Sequence, residues 1–348
     1  MKNINDILAS IRALAKGITP KTGIDDLLYH HKCYYLMNKK KDTNMMLQDI
    51  LNRNSVNIRF DTCRDVFDQL KANNIPYAVI KGVPLSKLIY NNPYIRRSGD
   101  IDLLINAKDC DNVKGIFHSS NFTQGRITDD GLIPYTRSEL LYHTTMTHQL
   151  APFIKKTASP LCPYVNIDIN TNIIWGESHE KIDMGFVLKH TEETEFNGIG
   201  FVKLSREMEF ISLCLHHYKD MNSLYLLNKG SLKLSLLCDI FFYIKNTELN
   251  LDVIHNIAKK FNVQEYIYYC VYHTDIIFND NKLKDVCTHL YTEKSEKIIN
   301  RFGLCENEWH EWDIDFCERL FNTNIHEYFL HVLNQNDWKK IDINNSIM

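Results

Sequence analysis

No apolar run in this 348-residue chain approaches the roughly 20 residues that a helix needs to cross a bilayer, so no membrane partner is expected. Cysteine occurs ten times, from Cys33 to Cys317, but never as C-x-x-C and never in a close cluster. That spacing argues against a zinc site or a disulfide framework and fits reduced, mostly buried thiols. Charge of one sign is not in excess: 40 Lys and Arg against 43 Asp and Glu leave a net charge of −3. Such balance argues against broad binding of long nucleic acid, while a local basic groove stays compatible with it. The first residues, MKNINDILASIRALAKG, lack the apolar core and cleavage site of a signal peptide, and a cytoplasmic protein is expected. There is no internal repeat and no low-complexity tail beyond the last few residues. The length leaves room for two domains and a sizeable core.

The informative stretch runs from Pro76 to Ile105, PYAVIKGVPLSKLIYNNPYIRRSGDIDLLI. Tyr77 to Ile80 reads as a short apolar strand ending in Lys81-Gly82, and Val83 to Tyr90 reads as a helix with Pro84 in its first turn. A glycine at a strand-to-helix turn lets backbone N–H groups approach a phosphate at the positive helix end. Asn91-Asn92-Pro93 makes a turn, and Arg96 and Arg97 precede Asp100-Ile101-Asp102. In a strand Asp100 and Asp102 share one face, roughly 6.6 Å apart along the chain, while Ile101, Leu103 and Ile105 share the other. Two carboxylates placed this way repel each other and gain a strand nothing. They suit a pair of hard cations, and oxygen-only ligands favour Mg²⁺ or Mn²⁺ with substrate phosphate completing the shell.

Strand, Lys-Gly turn, helix, basic loop and Asp-x-Asp strand together resemble the nucleotidyltransferase superfamily built on the polymerase-β-like core. The nearest likeness is to its branch of uncharacterised bacterial nucleotidyltransferases, with the pattern "lKG…L…Y…R…gDiDlLv". Here Lys81, Gly82, Leu85, Tyr90, Arg96, Gly99, Asp100, Ile101, Asp102 and Leu103 carry it. The resemblance implies an α+β fold in which a mixed sheet with helices is preceded by a helical N-terminal region and followed by a helical domain. The expected boundaries are 1–75, 76–204 and 205–348. It also implies triphosphate binding by Lys81, Gly82, Arg96 and Arg97. One departure is visible: the wider superfamily has Gly-Ser where this chain has Gly82-Val83, so Lys81 or Ser86 would substitute for the missing hydroxyl.

Residues 1–75 read as helices: one through Ile4, Ile7, Leu8, Ile11 and Leu14, then Asp25 to Met37, Thr43 to Leu51 and Val56 to Leu70. His30-His31 and Lys39-Lys40-Lys41 read as solvated surface. After the acidic strand, Asp109 to Ser119 reads as a helix, Phe122 to Ile127 as a strand, and Glu139 to Thr147, carrying His143, as another, with His148 just after it. In Tyr164 to Ile169, Val165, Ile167 and Ile169 face one way and Asn166 and Asp168 the other. Asp168 is the candidate third metal carboxylate, with Asp183 as the fallback. The resembled family tends to show Asp-x-His here, whereas this chain has Asn170. Lys181 to Lys203 reads as irregular or hairpin-like.

From Ser205 the texture turns helical. Met208, Ile211, Leu215 and Tyr218 form one apolar stripe, and Ser231 to Tyr243, Val253 to Phe261 and Gln264 to Phe278 follow as helices. Asp239 falls among apolar residues and is expected to bond His216 or His217. Residues 280–348 read as short charged helices.

The implied reaction is transfer of NMP from an NTP, with ATP the expected donor, to a hydroxyl-bearing acceptor with loss of pyrophosphate. Asp100, Asp102 and Asp168 would hold the metals. The acceptor class stays open: a small metabolite, a peptide product, a protein side chain or an RNA end such as that of a tRNA. Two other readings compete. Metal-dependent glycosyltransferases also use D-x-D, but after a parallel nucleotide-binding half that this order of elements lacks. A retired, non-catalytic core usually loses an acidic residue that this chain keeps.

Overall fold

The computed structural model describes residues 3–37, 43–146 and 148–347. The Lys39-Lys40-Lys41 turn lies outside them. Two compact units emerge, one of Met1–Lys40, Glu177–Glu180 and Phe210–Met348, the other of Lys41–Gly176 and Lys181–Glu209. The residues before Pro76 are therefore shared. Helices α1 (Ile4–Ala15) and α2 (Asp25–His30) go with the C-terminal unit, while α3 (Thr43–Ala72) goes with the sheet.

Helix α3 is 30 residues long, where two separate helices were expected. Residues 51–56, LNRNSV, contain neither Pro nor Gly, so nothing in that polar stretch stops a helix already held down by its second half. It ends at Ala72; just beyond it Asn74 takes a positive φ of 53°, and Ile75 N–H returns to Leu70 O at 3.0 Å.

The sheet follows in chain order. Strand β1 (Tyr77–Ile80), helix α4 (Gly82–Tyr90), strand β2 (Asp100–Ile105) and helix α5 (Cys110–Ser119) come first. Then come β3 (Thr123–Thr128), β4 (Gly131–Pro134), α6 (Arg137–Met146), β5 (Phe153–Lys156) and β6 (Tyr164–Asn170). The short helix α7 (Met184–Val187) leads into the hairpin β7 (Thr191–Phe196) and β8 (Ile199–Leu204), turned at Asn197-Gly198 with both residues at positive φ. The strand order is β4-β3-β5-β6-β2-β1-β8-β7. β2 runs parallel to β6 and antiparallel to β1, which itself runs parallel to β8. The architecture is α+β with a mixed eight-stranded sheet.

Period-two alternation decides which face is covered. Ile101, Leu103 and Ile105 of β2 and Val165, Ile167 and Ile169 of β6 join one apolar cluster with Val56, Phe60, Phe67 and Leu70 of α3 and Val113 and Phe117 of α5. The alternate residues, Asp100 and Asp102 on β2 and Asn166 and Asp168 on β6, stay only half-buried on the other face.

One local expectation is corrected, and one strand had no expectation. Glu139–Thr147 is not a strand; its residues through Met146 lie in α6. Thr136 and Glu139 form a reciprocal cap: Thr136 N–H donates to Glu139 Oε2 at 2.7 Å, and Glu139 N–H reaches Thr136 Oγ1 at 3.4 Å. That Thr-x-x-Glu spacing is a helix-start signal. Strand β5, FIKK, went unread because two apolar residues followed by two lysines show no alternation.

In the other unit, α8 (Arg206–Asn222) from Phe210 onward, α9 (Leu224–Asn228), α10 (Leu234–Asn246), α11 (Leu251–Phe261) and α12 (Gln264–Phe278) form the helical body. His217 and Asp239, both buried, meet across α8 and α10 at 3.4 Å. His31 is not solvated surface: it is 2% exposed, and its Nδ1 accepts the N–H of Leu234 at 3.1 Å, capping α10. Burial, then the neighbouring Lys233 and His30, hold its pKa down to about 3.

Because the folded His31 resists protonation that the unfolded chain accepts near 6.5, its contribution is intact above that value and fades as pH falls toward 3. Between pH 7 and pH 5 the expected loss is about 2 kcal/mol. Urea unfolding of wild type and His31→Gln at both pH values checks this. The gap between the two proteins should shrink at pH 5, and a constant gap would refute the buried neutral imidazole.

Candidate active site

Strand β1 stops at Ile80 because the next residue leaves extended geometry. Lys81 takes φ 57° and ψ −145°, a backbone conformation rare for any residue but glycine, which costs on the order of 1–3 kcal/mol. Gly82 follows at φ +44°, and nothing lies within 4 Å of where its Cβ would stand, so backbone freedom rather than space requires the glycine here. The pair turns the chain at once into α4, whose first N–H groups have no partner inside the helix. It also aims Lys81 Nζ at Asp102 Oδ1, 3.1 Å away.

The acidic face is assembled by register. Asp102 pairs across the β2–β6 ladder with Asp168, and Asp100 with Asn166. Adjacent strands lie roughly 4.8 Å apart, so the three carboxylates crowd together. Asn170, next on the same face, donates from Nδ2 to Asp102 Oδ1 at 3.3 Å and is itself held by Gln149 Nε2 at 2.7 Å. The residue that replaces the expected histidine is thus an orienting donor for Asp102. Ser98, which no sequence motif marks, donates to Asp100, with its Oγ 3.0 Å from Oδ1 and 2.7 Å from the backbone oxygen.

Burial and crowding together show in the protonation behaviour. Burial, then the charges of Asp100 and Asp102, push the Asp168 carboxyl up to about 7, against the pull of Lys81 and Asn166. Asp100 is raised by burial and then by Asp102, with Ser98, Lys81 and Arg59 opposing. The cluster therefore attracts positive charge more than its neighbours supply. An all-oxygen donor set in that state fits Mg²⁺ or Mn²⁺.

Beside it is a recess lined by Val56, Arg59 and Phe60 of α3, the end of β1, Gly82 and Val83 of α4, and Arg96, Ser98, Asp100, Ile101 and Asp102. Lys81, Gly82, Arg96 and the three aspartates are brought together. Other candidates lie apart. Ser86 is fully buried, donating from Oγ to Asn92 O at 2.7 Å and accepting the N–H of Arg96 at 3.3 Å. It fixes the basic loop and does not face a ligand, which corrects its assignment to phosphate. Arg97 lies 3.9 Å from Asp49 of α3. Asp183 caps α7 through Gly185 and Phe186 N–H, and His148 Nδ1 contacts Ile174 O at 3.0 Å. In the helical unit His216, His217 and Asp220 bring ligand atoms within 4.8 Å of one another. There each imidazole already has a carboxylate, Asp220 at 3.4 Å from His216 and Asp239 at 3.4 Å from His217.

A half-buried acidic sheet face thus lies beside a helix N-terminus and a recess that Arg59 and Arg96 line. The family model described as uncharacterised nucleotidyltransferase matches residues 30–279, well over half of the chain, and the chain belongs to that family. A search of the curated proteins found no match.

An ionised Asp168 destabilises the metal-free fold above its folded pKa, and that cost is recovered as pH falls through about 7. At roughly 1.4 kcal/mol per unit between 3.8 and 7, Asp168→Asn should stabilise the metal-free protein by on the order of 4 kcal/mol at pH 8 and by far less at pH 5. Thermal unfolding in chelator at the two pH values measures it. Destabilisation by Asp168→Asn at pH 8 would contradict a carboxyl raised by burial and by its acidic neighbours.

Proposed function

We propose that this protein transfers an NMP group from an NTP, with ATP the expected donor, to a hydroxyl-bearing acceptor, releasing pyrophosphate on a polymerase-β-like core. The observation that carries the reading is the convergence of Asp100, Asp102 and Asp168 on one open sheet face beside the strained Lys81-Gly82 turn. Family membership supports the same class of transfer. Asp100, Asp102 and Asp168 would hold Mg²⁺ or Mn²⁺. Bound there, the metal would supply Lewis-acid polarisation of the phosphate and charge neutralisation for the leaving pyrophosphate.

The chain's own residues position and compensate. Lys81 holds Asp102 in place and brings an ammonium to the turn. The first N–H groups of α4, at Gly82 and Val83, offer donors to phosphate oxygens where the helix dipole is positive. Arg96 adds a guanidinium from the loop that Ser86 pins. Asn170 and Ser98 fix the rotamers of Asp102 and Asp100, so little reorganisation is left for the reactive complex. The acceptor is to be found by offering each radiolabelled NTP with Mg²⁺ to pools of metabolites, peptides, proteins and tRNA, and reading label transfer.

Asp100→Asn and Asp102→Asn should weaken Mg²⁺–NTP binding by about 100-fold or more, since outer-shell partners alone cost roughly 10–100-fold. Asp168→Asn should keep KM for NTP within about 3-fold while kcat falls by about 10³, the pattern of an interaction made in the transition state. Calorimetry and single-turnover transfer measure the two quantities. Unchanged Mg²⁺–NTP affinity in both β2 variants would refute the site.

A further inference from the structure

Arg59 occupies a core position of α3. It lies three residues after Val56 and four before Cys63, both within the apolar cluster, where an aliphatic side chain would serve packing better. It is nevertheless buried, 8% exposed. A buried guanidinium is disfavoured unless its donors and its charge are satisfied. One is: Nη2 donates to Ser55 Oγ at 2.6 Å, one turn back on the same helix. Nε has no hydrogen-bond partner among the described residues. The side chain lines the recess that Gly82, Val83, Arg96, Asp100 and Asp102 also line. Its charge acts on Asp100 and lowers its pKa, and among the described residues no ion pair joins the two.

We propose that Arg59 is an oxyanion subsite that grips the polyphosphate tail of the nucleotide, and hence the pyrophosphate that leaves. The assignment of the tail to a nucleoside triphosphate rests on the nucleotidyl-transfer reading above. A guanidinium presents a planar fork that matches two phosphate oxygens, whereas a lysine offers a single point charge. Ser55 holds Nη2, which leaves Nε without a partner among the described residues on a side chain that lines the recess. Gly82 and Val83 at the start of α4 line another part of it, so a polyphosphate there would be bounded by guanidinium and helix N-terminus together. Ser55 is a positioning residue in this account, since it acts through Arg59.

The test is calorimetry of the full-length protein with inorganic tripolyphosphate, with AMP, and with Mg²⁺ and each of the four NTPs. Wild type is compared with Arg59→Met, which keeps the apolar stripe, with Arg59→Lys, which keeps the charge, and with Ser55→Ala. Charge-assisted donors of this kind are worth roughly 10–100-fold in affinity. Arg59→Met should weaken tripolyphosphate binding by about that factor and leave AMP within about 2-fold. Arg59→Lys should fall between, and Ser55→Ala should lose a few-fold, about 3 to 5. Unchanged tripolyphosphate affinity in Arg59→Met, or equal losses for tripolyphosphate and AMP, overturns the subsite. The second result assigns Arg59 to charge compensation of Asp100. Wild-type binding of tripolyphosphate through Arg59 with no affinity for any Mg²⁺–NTP upholds the subsite and removes the nucleotidyl-transfer reading. Mg²⁺–NTP binding that ignores Arg59 does the reverse.

Discussion

Three carboxylates on adjacent positions of two parallel strands repel one another, and much of the sheet-bearing unit can be understood as a means of tolerating that. At neighbouring-strand spacing and an effective dielectric near 20, each pair costs about 3 kcal/mol when both members are charged. Burial first, and this repulsion second, raise the pKa values of Asp168 and Asp100. The opposite face of β2 and β6 offsets it. Ile101, Leu103, Ile105, Val165, Ile167 and Ile169 are all buried beneath α3 and α5, each worth roughly 1.5–3 kcal/mol of apolar burial. A strand pair anchored this firmly on one side can carry unfavourable charge on the other.

The supports around the acids fall into a consistent pattern. Lys81 accepts an unfavourable backbone conformation and places its ammonium on Asp102. Asn170 and Gln149 form a relay of amides that ends on the same oxygen. Ser98 serves Asp100, and Ser86 pins the loop that carries Arg96. The strained Lys81 backbone stands at the acidic site, and the helical unit carries buried polar groups of its own, among them the His217–Asp239 pair.

How much of this the sequence disclosed depended on whether the signal was local. The strand–turn–helix–strand block from Tyr77 to Ile105 was legible because period-two alternation, a Lys-Gly stop and a Pro in the first helical turn all agree. Strand β6 was legible for the same reason, and its parallel pairing with β2 is what puts Asp168 opposite Asp102. Arg59 was not legible: a single arginine in a long helix reads as a solvated face until the helix is seen to pack on the sheet. Ser98 was hidden by a loop whose function depended on tertiary contact. Ser86 misled because hydroxyl chemistry suggested a phosphate partner, whereas complete burial gives it a backbone one. His31 misled in the opposite sense, since its capping partner, Leu234, lies about 200 residues away in sequence. The α6 segment was readable in principle through Thr136 and Glu139, but weak alternation over the following residues was given more weight than the cap.

The claim on which the account stands is that Asp100, Asp102 and Asp168 together form a divalent-cation site for nucleotide chemistry. Crystals grown with Mn²⁺ and a non-hydrolysable NTP analogue, measured for manganese anomalous scattering, address it directly. The account predicts anomalous density bounded by those three carboxylates, with the triphosphate running toward the Lys81-Gly82 turn. Bound nucleotide with no anomalous density at the three aspartates, or manganese held elsewhere in the chain, would contradict it.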